Sequence, residues 1–389
     1  MSYEKEQTPS LMVSSRIVAR ASRKPVPPGG NSMKTRFLIT STLVASLAST
    51  SFAWTYTNLH PSGASMSFGD GAGANTQGGR ANIGGVIRAG MWTSTASSWV
   101  DMHPAGASIS EVWGVSNVSQ VGYAHFGTTT HASLWTGSAG SWVSLNPSGS
   151  LGAVAYAATA TNQIGNTYMF STVLASLWSG SAASWVNLNP TGSTASEAWG
   201  GSGPNQVGYA TLGGVQEAAL WSGTAASFVS LHPGGASSSR GHESDGSRQV
   251  GYAVVGGASH ASLWTGSAAS WVDLNPSGAT SSTAWGVLGG YQVGGSMIGG
   301  AQRASLWSGS AGSFVDLHSY LPASFSNSVA RSISTDGVNY YIVGGGLNTA
   351  TGRDESILWT QAVPEPVTTL TLGAGLLGLL RKRRSRVAR

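Results

Sequence analysis

The sequence predicts an all-β fold: a seven-bladed β-propeller made of seven four-strand repeats of about 43 residues, with the first strand closing the last blade. Three observations predict it. Leu-Trp-like pairs end in Trp92, Trp135, Trp178, Trp221, Trp264 and Trp307, 43 residues apart, and a seventh ends in Trp359 after 52. A second aromatic series lies seven residues further on, at Trp99, Trp142, Trp185, Phe228, Trp271 and Phe314, and reaches back to Tyr56. A third register runs through Gly122, Gly165, Gly208, Gly251 and Gly294 in Gln-Val-Gly-Tyr-like contexts, extending to Gly79 and Gly344. Equal periods of this length signal a blade array.

Composition sets the limits. Of 389 residues only 9% are charged, against roughly 25% in ordinary soluble domains, while Gly supplies 55, Trp 15 and Cys none. A disulfide framework, a thiolate zinc site and a cysteine nucleophile are thereby excluded, and so many aromatics argue against intrinsic disorder. The net charge of +5 belongs to the ends. Residues 54–362 hold seven basic and 12 acidic side chains and no Lys, a poor phosphate-binding surface, so no nucleic-acid partner is expected.

Residues 1–32 read as an unstructured upstream extension. From Met33 the chain reads as a secretory leader through residue 53: Lys34 and Arg36 give a basic start, Phe37–Leu47 an apolar-leaning stretch, and Ser51-Phe52-Ala53 a small-x-small cleavage site. Residues 54–362 form the repeat domain. In the unit after Trp264, four extended segments are expected at Ser270–Leu274, Ser282–Val287, Gln292–Gly295 and Ala304–Trp307, bounded by Gly, Ser, Asn and Pro. The Asn275-Pro276-Ser277-Gly278 stretch is turn chemistry. With Ala-Ser-Leu-Trp as the third strand and Trp-Val-Asp-Leu as the outermost, the chain begins on an outermost strand (Trp54–Leu59) and ends on a third (Ser356–Trp359). Their pairing would close the ring. The last unit carries nine extra residues, expected in a longer connection around His318–Arg331.

In residues 363–389, Pro364-Glu365-Pro366 precedes an apolar run, Val367–Leu380, expected as a short helix, and a basic tail with Arg381, Lys382, Arg383 and Arg384. This order resembles the PEP-CTERM sorting signal of Gram-negative bacteria. The resemblance implies export, transient membrane attachment through the tail, and processing near Pro364-Glu365-Pro366 by an exosortase-type membrane protease. The repeat itself is similar to the HAF-type extracellular repeat: Gln120–Tyr123 with His131-Ala132-Ser133-Leu134-Trp135, and Gln249–Tyr252 with His260–Trp264, match its Gln-Val-Val-Gly-Tyr and His-Ala-Phe-Leu-Trp hallmarks, with Ser in place of Phe. That likeness implies a surface or secreted module rather than a chemistry.

Candidate residues fall into rings. His60, His103, Asn146, Asn189, His232, Asn275 and His318 precede the turn Pro or its equivalent; they end outermost strands, where blades diverge, and read as turn caps rather than metal ligands. Arg88, His131, Leu174, Glu217, His260, Arg303 and Glu355 read as solvated rim charges. On the innermost strand, Phe68, Glu111, Val154, Glu197, Arg240, Thr283 and Ser326 form one register, in which Glu111, Glu197 and Arg240 are the candidate axial ligand contacts. Two positions on, Trp113, Tyr156, Trp199 and Trp285, interrupted by Asp70 and His242, are expected to wedge between blades, with a sugar-stacking ring as the alternative. No nucleophile elbow, His-Glu-x-x-His, P-loop or dinucleotide fingerprint occurs.

The expected function is that of an exported, non-enzymatic protein of the envelope or cell surface, structural or recognitive, without cofactor, metal or catalytic residues. Its expected partners are the secretion machinery and the exosortase-type protease, with extracellular polysaccharide as ligand in the alternative glycan-binding reading. A hydrolase or lyase would require two ionisable groups converging in the axial pocket.

Overall fold

The computed structural model describes residues 53–364 apart from Ser171. The leader, the upstream extension, Glu365 and Pro366, the apolar run expected as a helix and the basic tail lie outside the described residues.

Seven four-stranded antiparallel sheets make up the described chain. Blade 1 runs outward from the axis through Ala64–Gly73, Thr76–Ile83, Val86–Trp92 and Val100–Asp101. Blades 2 to 6 repeat this order, their innermost strands being Ile109–Val115, Gly152–Ala158, Ser196–Ser202, Ser238–Ser244 and Ala279–Leu288. Blade 7 takes three strands from the end of the domain, Val329–Thr335, Asn339–Asn348 and Arg353–Ala362. Its outermost strand is Thr55–Asn58, which pairs antiparallel with the third in the register Tyr56 to Trp359.

The repeat signature is explained by three contacts. The Gly of Gln-Val-Gly faces the innermost strand so closely that a Cβ at Gly122 would meet the carbonyl of Glu111, and one at Gly208 that of Glu197. The Gln side chain reaches the opposite way: Oε1 of Gln120, Gln163, Gln206 and Gln249 accepts the N–H of Gly137, Gly180, Gly223 and Gly266, at 2.7–2.9 Å, pinning the turn after the third strand. The Leu-Trp tryptophan is the wedge between blades. All seven are fully buried; Trp178 packs on Val121, Leu134 and Leu145 of the preceding blade, and Trp221 on Ile164, Leu177 and Leu188. Burying an indole of this size contributes roughly 4–6 kcal/mol of gross transfer free energy.

The outermost strands are shorter than the sequence suggests. Val272–Asp273 spans two residues because a 3-10 turn, Ala268–Ser270, takes up the preceding chain. The Ser270 hydroxyl fixes that turn, donating to Ser267 O at 2.6 Å and accepting the Thr265 N–H at 2.8 Å. The excess length of blade 7 also differs from expectation, being shared rather than confined to the connection at His318–Arg331. The step from Phe314 to Arg331 is 17 residues, against 14 from Trp271 to Trp285. The remaining excess extends the hairpins formed by Val329–Thr335, Asn339–Asn348 and Arg353–Ala362.

Candidate functional site

Each innermost strand carries the same β-bulge against its neighbour, at the same place in every blade, and those of blades 1 and 6 carry a second near their start. A bulge inserts an unpaired residue and re-aims its side chain. The seven bulge residues are Asp70, Trp113, Tyr156, Trp199, His242, Trp285 and Arg331, and all seven line an axial cavity of about 480 Å3. The aromatic members therefore gather at the axis instead of wedging between blades, a role that the Leu-Trp tryptophans fill.

These side chains satisfy one another. Tyr156 lies between Trp113, at 4.9 Å between ring centroids, and Trp199, at 4.4 Å and nearly parallel. Trp285 lies between His242, stacked at 4.0 Å, and the Arg331 guanidinium, 4.3 Å from its centroid. Both faces of Tyr156 and Trp285 are thus occupied, which removes two of the platforms that a sugar-stacking ring would need. His242 donates from Nδ1 to Ala284 O at 2.9 Å, and burial drives its pKa down to about 3, so the imidazole is neutral near pH 7.

Glu111, Glu197 and Arg240 do not line the cavity. Two residues before their bulges, on the same strand face, they brace the aromatic layer from beneath. Glu111 accepts the indole N–H of Trp113 at 2.7 Å, and Glu197 that of Trp199 at 2.9 Å. The Arg240 guanidinium covers the rings of Trp199 and Tyr209 at 5.0 and 4.5 Å. The blade 7 member of this register is Val329, whose carbonyl a Cβ on Gly344 would strike, and not Ser326, which lies exposed before the strand. Pro364 is exposed at the end of the described chain.

Besides Asp245, charge enters the cavity at three places. Asp70 and Glu111 share the Arg80 guanidinium at 2.7 and 3.0 Å; burial raises the Asp70 pKa against the pull of Arg80 and Arg331. Arg331 donates no hydrogen bond to any described residue, and its Nε is buried without a partner. Glu243 follows the bulge of blade 5 at a position held by Gly71, Gly114, Ala157, Gly200, Gly286 and Ser332 in the other blades. Its Oε1 accepts the N–H groups of Gly201 and Ser244, each at 2.8 Å, and burial pushes its pKa up to about 7.

Arg331 and Glu243 escaped the sequence reading. With the inserted residues of blade 7, a count of 43 from Trp285 stops at Ser328, three short of Arg331, although Ala330-Arg331-Ser332-Ile333 matches Ala284-Trp285-Gly286-Val287 in pattern. Glu243 was legible as the one ionisable residue in a ring of small ones.

The rings at the rim behave locally. His60, His103 and His232 each place Nδ1 against a Ser hydroxyl at 2.7–2.8 Å and Nε2 against a backbone carbonyl at 2.9–3.1 Å. A carbonyl only accepts, so the proton is on Nε2 and the Ser hydroxyl donates to Nδ1. Those hydroxyls in turn accept a backbone N–H from the blade before: Ser356 N to Ser67, Ala89 N to Ser110 and Ala218 N to Ser239, at 2.8–3.0 Å. Asn189 and Asn275 accept from Ser196 and Ser282 in the same way. Asn146 has Ala153 in place of the Ser, and its own Oδ1 takes the Ala132 N–H at 2.9 Å. In the other ring, Arg88, His260 and Arg303 pair with Asp101, Asp273 and Asp316 of their own outermost strands at 2.7–3.1 Å. Among the described residues, no three His, Asp or Glu side chains gather as a metal site requires.

No protein-family model matches the chain, and no curated protein does. Among solved structures, the β-propeller domain of the Trilobed protease from Pyrococcus furiosus aligns with a TM-score of 0.51 at 7% identity, over 78% of this chain and 98% of that one. The acylaminoacyl peptidase of Pyrococcus horikoshii aligns with 0.49 at 11% identity, over 77% and 52% of the two chains. TolB from Acinetobacter baumannii aligns with 0.43 at 12% identity, over 66% of this chain and 64% of its own. At such identities the first likeness supports the propeller architecture and nothing more specific.

Proposed function

We propose that this chain is an exported propeller of the bacterial envelope or surface with a recognition role, sorted through Pro364-Glu365-Pro366. The observation that carries the recognition role is the axial cavity. A ring with only a structural task gains packing energy by filling such a space, yet about 480 Å3 stays open above an ordered aromatic layer, with Arg331 and Glu243 in its walls. Concave, mostly apolar pockets with a few placed polar groups are where small ligands bind. The carboxylates Glu111 and Glu197 are committed to indole N–H groups, so a non-enzymatic reading fits them. Export rests on the leader at 33–53 and on the order of motif, apolar run and basic tail. The secretion machinery and an exosortase-type protease are the partners this implies.

Fractionation of the full chain in a Gram-negative host carrying such a protease tests the reading. The chain is expected in envelope or surface fractions, shortened at its C-terminus, and E365A is expected to keep its tail. Retention in the cytoplasm with the leader intact would sink it. A second reading, extracellular polysaccharide as the ligand, is favoured by Trp113, a cavity-lining indole stacked by one ring, Tyr156, and met edge-on by Tyr123; a glycan array with the full chain tests it through loss of binding in W113A.

A further inference from the structure

The axial cavity divides into two chemically different zones. Its throat, on the side of the hairpins that join innermost to second strands, is walled by Ala72, Val115, Ala157, Val287, Leu288 and Ile333. Its floor is the stacked layer, and there the charges are unequal in what they have left to offer. Arg80 is spent on Asp70 and Glu111. Asp245 is occupied by Arg248 and by the N–H groups of Ser247 and Arg248. Arg331 alone among the lining cations has no hydrogen-bond acceptor among the described residues: its guanidinium carbon lies over the Trp285 ring, 4.3 Å from the centroid, and over Phe68 at 5.6 Å. Stacking consumes the face of a guanidinium and leaves its in-plane N–H fork free, the geometry that matches a carboxylate in two parallel hydrogen bonds. Glu243 adds a carboxyl whose Oε1 is held by two backbone amides and whose Oε2 has no protein partner.

Building on the recognition reading above, we infer that the axial cavity binds a monocarboxylate with an apolar body, its carboxylate on the Arg331 fork and its chain in the throat. A dianion fits less well. Asp70, Arg80, Glu111 and Arg331 together are neutral, and Glu243 and Asp245 add negative charge nearby, so a second charge on the ligand would meet carboxylates rather than a second free cation. An uncharged apolar chain would leave the guanidinium buried and unpaired. A flat-stacking sugar finds both faces of Trp285 taken.

Two sources present this chemistry, a short aliphatic acid and the C-terminus of an apolar peptide, and calorimetry on the full-length chain separates them. The probes are octanoate, octanol, and an apolar hexapeptide as the free acid and as the amide. Saturable one-to-one binding of octanoate or of the free-acid peptide is expected, with octanol and the amide at least tenfold weaker. R331Q is expected to weaken the acid at least tenfold. R88Q should bind as the parent does, because its guanidinium pairs with Asp101 at the rim, outside the cavity. Binding of octanoate alone assigns the small acid, and binding of the peptide alone assigns a chain terminus. No binding of either acid, or equal binding of acid and its neutral counterpart, overturns the inference. Comparing each acid with its neutral counterpart on the parent chain makes that outcome independent of whether R331Q folds. A chain that fractionates with the envelope yet binds neither acid would remove the ligand class and leave the proposed location standing.

Discussion

Glu243 shows how a single residue can set the pH response of the ring. Its carboxyl is held near pKa 7 by burial, against an ordinary value of 4.5. Below pH 4.5 it is protonated in both folded and unfolded chains. Between 4.5 and 7 the unfolded chain ionises first, so stability falls as pH rises through that window and levels off above it. Glu243→Gln keeps an acceptor for the Gly201 and Ser244 amides and cannot ionise. The variant should therefore match the parent at pH 4 and exceed it at pH 8, by on the order of a few kcal/mol, read from urea midpoints across pH. His242 acts with the opposite sign: with its pKa near 3, stability falls as pH drops from about 6.5 toward 3, and His242→Gln should flatten that acid limb. The rim offers a different test. Six blade junctions pass a backbone N–H to a Ser hydroxyl, and the seventh passes it to Asn146 because Ala153 replaces the Ser. Asn146→Ala should cost about 1–3 kcal/mol by leaving the Ala132 N–H buried and unpaired, and N146H/A153S should restore the loss by rebuilding the arrangement of the other blades. A thermal melt of the three proteins decides it.

The glycines separate two uses of one residue type at the scale of the strand and the turn. At Gly208 a Cβ would collide with the Glu197 carbonyl of the innermost strand, whereas at Gly140, within the 3-10 turn Ala139–Ser141, nothing lies within 4 Å. Gly208→Ala should thus destabilise by about 1–3 kcal/mol or more through overpacking, and Gly140→Ala should be neutral or slightly stabilising, as chemical denaturation of the two variants would report. The same contrast explains what could be read in advance. Gln-Val-Gly and Leu-Trp recur because each satisfies a contact inside a blade or with the next one, so counting positions was enough to find strands and their order. The bulges are invisible to such counting. Glu111 and Trp113 share a face as any residues two apart in a strand do, and only the pairing of Val112 with Gly122 and of Gly114 with Val121 reveals that Trp113 is extra and aimed at the axis. Outermost strands were overestimated for a related reason: Ser270 reads as strand-compatible, but its hydroxyl closes a turn on Ser267.

Across the whole molecule, the ring has one seam where sequence-distant segments pair, and the ring is expected to open there first. Everywhere else a blade is contiguous in the chain and its third and outermost strands are joined by a short turn. In blade 7 the outermost strand, Thr55–Asn58, is joined to Arg353–Ala362 by no turn, only by strand pairing and side-chain hydrogen bonds such as Asn58 Nδ2 to Glu355 at 2.7 Å, with Trp54 and Leu59 buried at its ends. The seam was legible from the phase of the repeat, since a chain that starts on an outermost strand and stops on a third leaves two edges that fit each other. The axial chemistry was not, because Arg331 sits past the inserted residues that broke the count. Losing the seam would expose the unpaired edge of a ten-residue strand, a template for association. A cross-link there should act strongly, because it closes a loop of some 300 residues, and in the chain-entropy model stabilisation grows with loop length. Thr55 and Thr360 are paired in register, and neither is buried in the core. The chain has no Cys, so T55C/T360C can form one disulfide only. The oxidised variant should be about 2–5 kcal/mol more stable than its reduced form and should resist proteolysis at the seam. If oxidised and reduced forms melt alike, the ring opens elsewhere first, and the seam is not its weakest junction.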